Sequence, residues 1–260
     1  MRWGDAAIPV AEQPTDGRVP IRVVVPLVLI VLAGIGWVWS ARVAADMAGG
    51  GMEHMAAPMS LGAFVIAWTA MMAAMMLPAI LPVVKLYARA AAGNTVAPLP
   101  FFVGGYLVLW TATAVPAYLA WRPLAVPVAE GQPWAGRAAG VTLIAAALWQ
   151  ISPLKSVCLR HCRSPLGFFL RYGGASRLPT GAFRMGVVHG GFCIGCCWAM
   201  FAVLVATASM SLLWMVAFTL LIVAEKNFTH GERVGLAAAP VLAALGLALL
   251  VSPSLIITIA

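Results

Sequence analysis

The sequence predicts an all-α membrane protein, a polytopic bundle of about seven transmembrane helices, and three observations lead to it. Of 260 residues, 63% are hydrophobic and only 9% are charged, whereas a water-soluble globule carries roughly 25% charged residues. The apolar stretches exceed the roughly 20 residues that cross a bilayer as a helix. Their Leu, Ala, Val and Met composition lacks the alternation of a barrel strand.

The segments follow in order. Residues 1–20 contain Pro9 and Pro14 and end at Pro20, mix acids with bases and show no helical period, which predicts a disordered cytoplasmic tail. Residues 21–260 then form a single transmembrane domain. Span 1 is expected from about Ile21 to Trp39. Acidic residues ahead of it and its long apolar core favour a retained anchor over a cleaved signal peptide. In the glycine-rich loop of residues 40–60, Met47, Met52, Met55 and Met59 surround Glu53 and His54. Thioethers beside an imidazole can collect copper at a membrane surface, or simply dip into the lipid interface.

Span 2, about Leu61 to Pro82, carries Met71, Met72, Met75 and Met76 in one broad stripe, with Pro78 and Pro82 kinking or ending it. Such a stripe is either flexible core filler or a ligand path. Span 3 covers about Pro98 to Trp121, and span 4 about Trp134 to Ile151, stopping at Ser152-Pro153. The segment SPLKSVCLRHCRSP comes next. It places Cys158 and Cys162 four residues apart with His161 between them, so that on a short helix both thiols face one way, as half of a thiolate site.

After Arg184 no charged residue occurs for forty positions, about twice one crossing. This predicts a hairpin turning near Thr207 to Ser211, with span 6 ending at Glu225-Lys226 and span 7 running from about Val234 to the C-terminal end. No Asp or Glu is expected deep inside any span, and there is no GxxxxGK[ST] nucleotide loop, so neither an acidic proton relay nor ATP drives the chain.

The formal charge of +8 would point to nucleic acid in a soluble protein, but these cations gather between apolar segments and lack aromatic interleaving, so no nucleic-acid partner is expected. Over seven spans, Lys and Arg divide 13 to 3 between alternate sides. The positive-inside rule then puts the N-terminus in the cytoplasm and the C-terminus outside. The cationic run of Lys155, Arg160, Arg163, Arg171, Arg177 and Arg184 reads as this orientation bias, on a side that also meets lipid headgroups. Cys158 and Cys162 face the reducing side and the remaining cysteines lie in the membrane, which argues against disulfides.

Chemistry concentrates in span 5, in the block HGGFCIGCCW. At about 100° per residue, His189, Cys193, Cys196 and Cys197, with flanking Met185 and Met200, share a helix face within roughly 120°. Soft sulfur with imidazole suits Cu(I) or Zn(II), and the thioethers tilt the choice to copper. The competing reading is packing alone, cysteine as a small apolar residue with Gly186, Gly190, Gly191 and Gly195 allowing close helix approach.

In the combination of MMxxMMLP in span 2, SPLKxxCLxxCRSP after span 4 and HGxxCxGCCW in span 5, the chain resembles a family of bacterial integral membrane proteins. That family is described as predicted metal-binding and of unknown function. The resemblance covers about residues 60 to 245. It implies metal binding within a bacterial cytoplasmic membrane, and the matching positions are Met75, Met76, Cys158, Cys162, His189, Cys193, Cys196 and Cys197.

Together these readings give a non-enzymatic, multi-pass protein that binds a soft metal ion, Cu(I) first and Zn(II) second, for transport or delivery. The expected intramembrane site is His189, Cys193, Cys196 and Cys197 with Met71, Met72, Met75 and Met76. Secondary ligands are Cys158, Cys162 and His161 on one side and Met52, His54 and Met55 on the other. Expected partners are the lipid bilayer, the ion, and a metal chaperone or partner membrane protein. The alternatives are a thiol-disulfide oxidoreductase using the Cys193/Cys196 CxxC pair and an accessory subunit whose cysteines only pack.

Overall fold

A computed structural model of the chain describes residues 21–49, 59–91, 99–163, 178–208 and 211–259. The expected tail of residues 1–20 and the loop ligands Met52, His54 and Met55 lie outside the described residues. Among the described residues every regular element is helical. In chain order these are α1 (Ile21–Gly49), α2 (Leu61–Ala79), α3 (Leu81–Ala91), α4 (Leu99–Ala112), α5 (Ala114–Ala129), α6 (Pro133–Gln150), α7 (Pro153–Arg163), α8 (Pro179–Ala206), α9 (Leu212–Asn227) and α10 (Gly231–Val251). A 3₁₀ turn at Pro253–Leu255 and a single helical turn at Ile256–Ile259 follow.

Local sequence explains where these helices start and stop. The Ser60 hydroxyl accepts from the Ala63 amide at 3.3 Å and caps α2. Proline opens α6 and α8, where its fixed φ fits and its missing N–H is not needed. Pro78 sits in the last turn of α2, and the chain breaks at Ile80, whose amide still reaches Met76 O at 3.2 Å. The hairpin turn falls as expected, at Thr207 and Ala208 between α8 and α9; Ala208 takes the left-handed backbone that closes it (φ 46°).

Among the described residues, five stretches are by length and composition fit to cross a bilayer: Pro26–Ala45, Leu61–Ala79, Leu99–Ala129, Pro179–Ala206 and Gly231–Val251. A sixth would be α6 with α7, which bend by 65° at Ser152-Pro153. The remaining expected span, α9, has 16 residues, about one turn less than the roughly 20 that cover a hydrocarbon core.

Position in the bundle follows burial. In α8, 56% of the most apolar stretch is buried, against 22% in α1; α8 is the central helix and α1 a peripheral one. The central helix packs most extensively on α4, then on α7 and α6. Small residues permit this. A Cβ on Gly186 would run into the Phe102 carbonyl of α4, and one on Gly105 of α4 would run into the Phe183 carbonyl of α8. Because backbone cannot give way as a side-chain tip can, Gly186→Ala is expected to cost about 1–3 kcal/mol, read as a lower melting temperature in detergent. Gly191→Ala, where a Cβ meets nothing within 4 Å, is the control and should leave melting unchanged.

Candidate metal centre

The helix α8 presents its buried face as the sequence predicts. Met185, His189, Cys193, Cys196, Cys197 and Met200 are all buried. Spacings of three and four residues set Cys196 and Cys197 one turn beyond Cys193 on that face. Cys196 Sγ lies 3.3 Å from Cys197 Sγ and donates to the Cys193 carbonyl at 3.2 Å.

The fourth thiol comes from α7. Cys162 Sγ sits 3.6 Å from Cys193 Sγ and 3.8 Å from Cys196 Sγ, so a residue expected as a secondary ligand joins the principal group. Cys158, one turn earlier and half-buried, rests against α8 where a Cβ on Gly195 would meet its Sγ at 2.8 Å. All five cysteines are free thiols.

Both ends of α7 are tied down, and this fixes Cys162 over the cysteine face. At its start, the Lys155 ammonium donates to Glu225 Oε1 of α9 at 2.6 Å and to Gln150 Oε1, while Gln150 Nε2 donates to the same Glu225 oxygen at 2.9 Å. At its end, the Arg163 guanidinium donates to Thr229 O at 3.0 Å and to Phe228 O, in the connection from α9 to α10.

Beside the thiols, Lys226 of α9 donates from Nζ to Cys193 Sγ at 3.1 Å. His189, one turn before Cys193, lies between the rings of Phe102 and Tyr106 with centroids 6.0 Å from each. His161 is exposed, stacks on Phe192 at 4.6 Å and 6°, and donates from Nδ1 to Val157 O at 2.9 Å.

Met71, Met72, Met75 and Met76 are buried in the same hydrophobic core as the cysteines. Their helix packs mainly on α1 and then on α9, α4 and α5. It meets α8 through Trp68 and Phe201, 6.4 Å between ring centroids.

Two sulfurs across a tetrahedral metal with bonds near 2.3 Å stand about 3.8 Å apart, and the Cys162–Cys193 and Cys162–Cys196 separations of 3.6 and 3.8 Å are of that size. The Cys196–Cys197 separation of 3.3 Å is shorter, and no group of three or more His, Cys, Asp or Glu among the described residues is already arranged to hold a metal ion. The thiols instead hydrogen-bond to one another. As a donor set they are soft, buried and close, which is the chemistry of Cu(I) and Zn(II).

Glu225-Lys226 stands in the last turn of α9, where the span was expected to end, yet both side chains are buried, Glu225 at 1% exposure. Likewise Lys155 is 3% exposed and does not belong to the headgroup-facing cationic run. The physical reason is mutual: each charge is tolerated inside because a partner from another helix meets it. A charged pair closing an apolar run looks the same in sequence whether water or another helix satisfies it. Reading Lys155 and Glu225 as complementary charges flanking the cysteine segments was the available signal.

No curated protein and no solved structure matches the chain. A family described as copper chaperone, PpoB2, matches residues 65–249. That stretch contains the methionine stripe, both cysteine segments and the Lys155–Glu225 pair, and the metal its description names is one of the two that the sulfur set suits. With most of its length matched, the chain belongs to the PpoB2 family of copper chaperones.

Proposed function

We propose that this chain is a multi-pass protein of the bacterial cytoplasmic membrane that binds Cu(I) and hands it on, catalysing no reaction of its own. The observation that carries this reading is the convergence of Cys162 with Cys193, Cys196 and Cys197 from two helices in an apolar core. Packing alone asks for no such convergence. Buried thiols without a task are ordinarily scattered as single small apolar residues.

In this reading Cys162, Cys193 and Cys196 are the principal ligands, with Cys197 and His189 adjoining. Zn(II) is a weaker competitor for the same sulfurs. Seven crossings with a cytoplasmic N-terminus remain favoured by charge, since removing the buried Lys155 and Lys226 from the count leaves cations divided 11 to 3. Under that topology α2 and α8 run antiparallel. Starting from the Trp68–Phe201 contact, one turn inward, about 6 Å on each helix, sets Met72 level with Cys197. Met71, Met72, Met75 and Met76 thus form a weak thioether approach to the thiols, fed from outside by the segment holding Met52, His54 and Met55. Half-buried Cys158 is the exchange point for a cytoplasmic copper chaperone or a partner membrane protein, with His161 beside it.

The test is copper retention. Full-length protein purified in detergent, loaded with Cu(I) under reducing conditions and desalted, is expected to keep stoichiometric copper, and Cys193/Cys196/Cys197→Ser to keep none. Copper-free wild type after loading, or copper retained by the triple variant, overturns the proposal. A partner-dependent change of thiol state with no retained metal would favour disulfide exchange through Cys193 and Cys196 instead.

A further inference from the structure

Among the described residues, no carboxylate pairs with the lysine beside the thiols. Lys226 is 7% exposed and directs its ammonium at Cys193 Sγ, 3.1 Å away. Its chain neighbour Glu225 is the one buried carboxylate among the described residues, and it is engaged by Lys155 at 2.6 Å and Gln150 at 2.9 Å. Adjacent positions on α9 point about 100° apart, so the two residues serve two separate groups. One group closes on itself as an ion pair. The other sets a cation against sulfur.

We infer that Lys226 fixes the valence of the cargo, favouring a monovalent soft ion over a divalent one at the four-thiol site. The inference rests on the copper-binding reading above and adds a selectivity residue to it. At equal numbers of thiolates, a neighbouring ammonium repels a dication twice as strongly as a monocation, and between charges a few ångströms apart in protein this is a large effect. Sulfur softness alone does not separate Cu(I) from Zn(II), because both take thiolates. A fixed positive charge does.

The experiment is competition between Cu(I) and Zn(II) for the full-length protein in detergent under reducing conditions, comparing wild type, Lys226→Met and Lys226→Arg. The Cu(I)-over-Zn(II) affinity ratio is expected to fall about tenfold or more in Lys226→Met, which removes the charge. In Lys226→Arg, which keeps it, the ratio should stay within about threefold of wild type. Copper still bound with an unchanged ratio in Lys226→Met overturns the inference, as does an equal fall in both variants, which would make the side chain a packing element. Should Lys226→Met fail to fold, Lys226→Gln takes its place with the same outcomes. Wild type that takes no copper would sink the function proposed above, a result distinguishable from either of these.

Discussion

Lys155→Met is expected to be the most damaging single substitution outside the thiols, costing about 3–5 kcal/mol and read as a collapse of the melting temperature in detergent. Glu225 is 1% exposed, and its Oε1 accepts from Lys155 and Gln150 alike. The lid over it is α10, close enough that a Cβ on Gly235 would meet Glu225 Oε1 at 2.7 Å. Without the ammonium the carboxylate is left in a site closed to water, with only an amide for company. Replacing the pair together, as Lys155→Met with Glu225→Met, should recover most of the loss, because two apolar side chains need no mutual satisfaction. If the single variant melts with the wild type, the pair does not hold α7 in place.

Cys162→Ser is expected to lower Cu(I) affinity by more than the roughly 10–100-fold that loss of a ligand's supporting group costs. Cys158→Ser should change equilibrium affinity far less and act on the rate of copper exchange. The two thiols are one helical turn apart on α7, so sequence alone assigns them equal standing. The structure does not: Cys162 is within 3.6 to 3.8 Å of two sulfurs of α8, while Cys158 lies half-buried against Gly195. Competition against a chromophoric Cu(I) chelator measures the first, and stopped-flow transfer to the same chelator measures the second. Equal affinity losses in the two variants would remove the distinction.

Much of this arrangement is legible from residues alone. The face shared by Met185, His189, Cys193, Cys196, Cys197 and Met200 follows from helical period, and all six are buried. The hairpin turn at Thr207 follows from length, since forty uncharged residues exceed one crossing. What periodicity cannot supply is which helices meet. That Cys162 rather than a span-2 methionine completes the sulfur group depends on α7 lying across α8. This is decided by charges at its two ends, Lys155 to Glu225 and Arg163 to Thr229, separated by about 70 residues of chain. Lys226 escaped for a related reason. A lysine at the end of an apolar run is usually in water, and only the third dimension turns it toward Cys193.

The 65° bend at Ser152-Pro153 has a mechanical consequence. Because one of the four sulfurs rides on a three-turn arm beyond that corner, an ion bound as proposed would have a movable jaw in its shell. Swinging the arm would withdraw Cys162 from Cys193 and Cys196 while the three cysteines of the central helix stayed seated. Letting go of such a cargo would then require slackening two latches, Lys155 and Arg163.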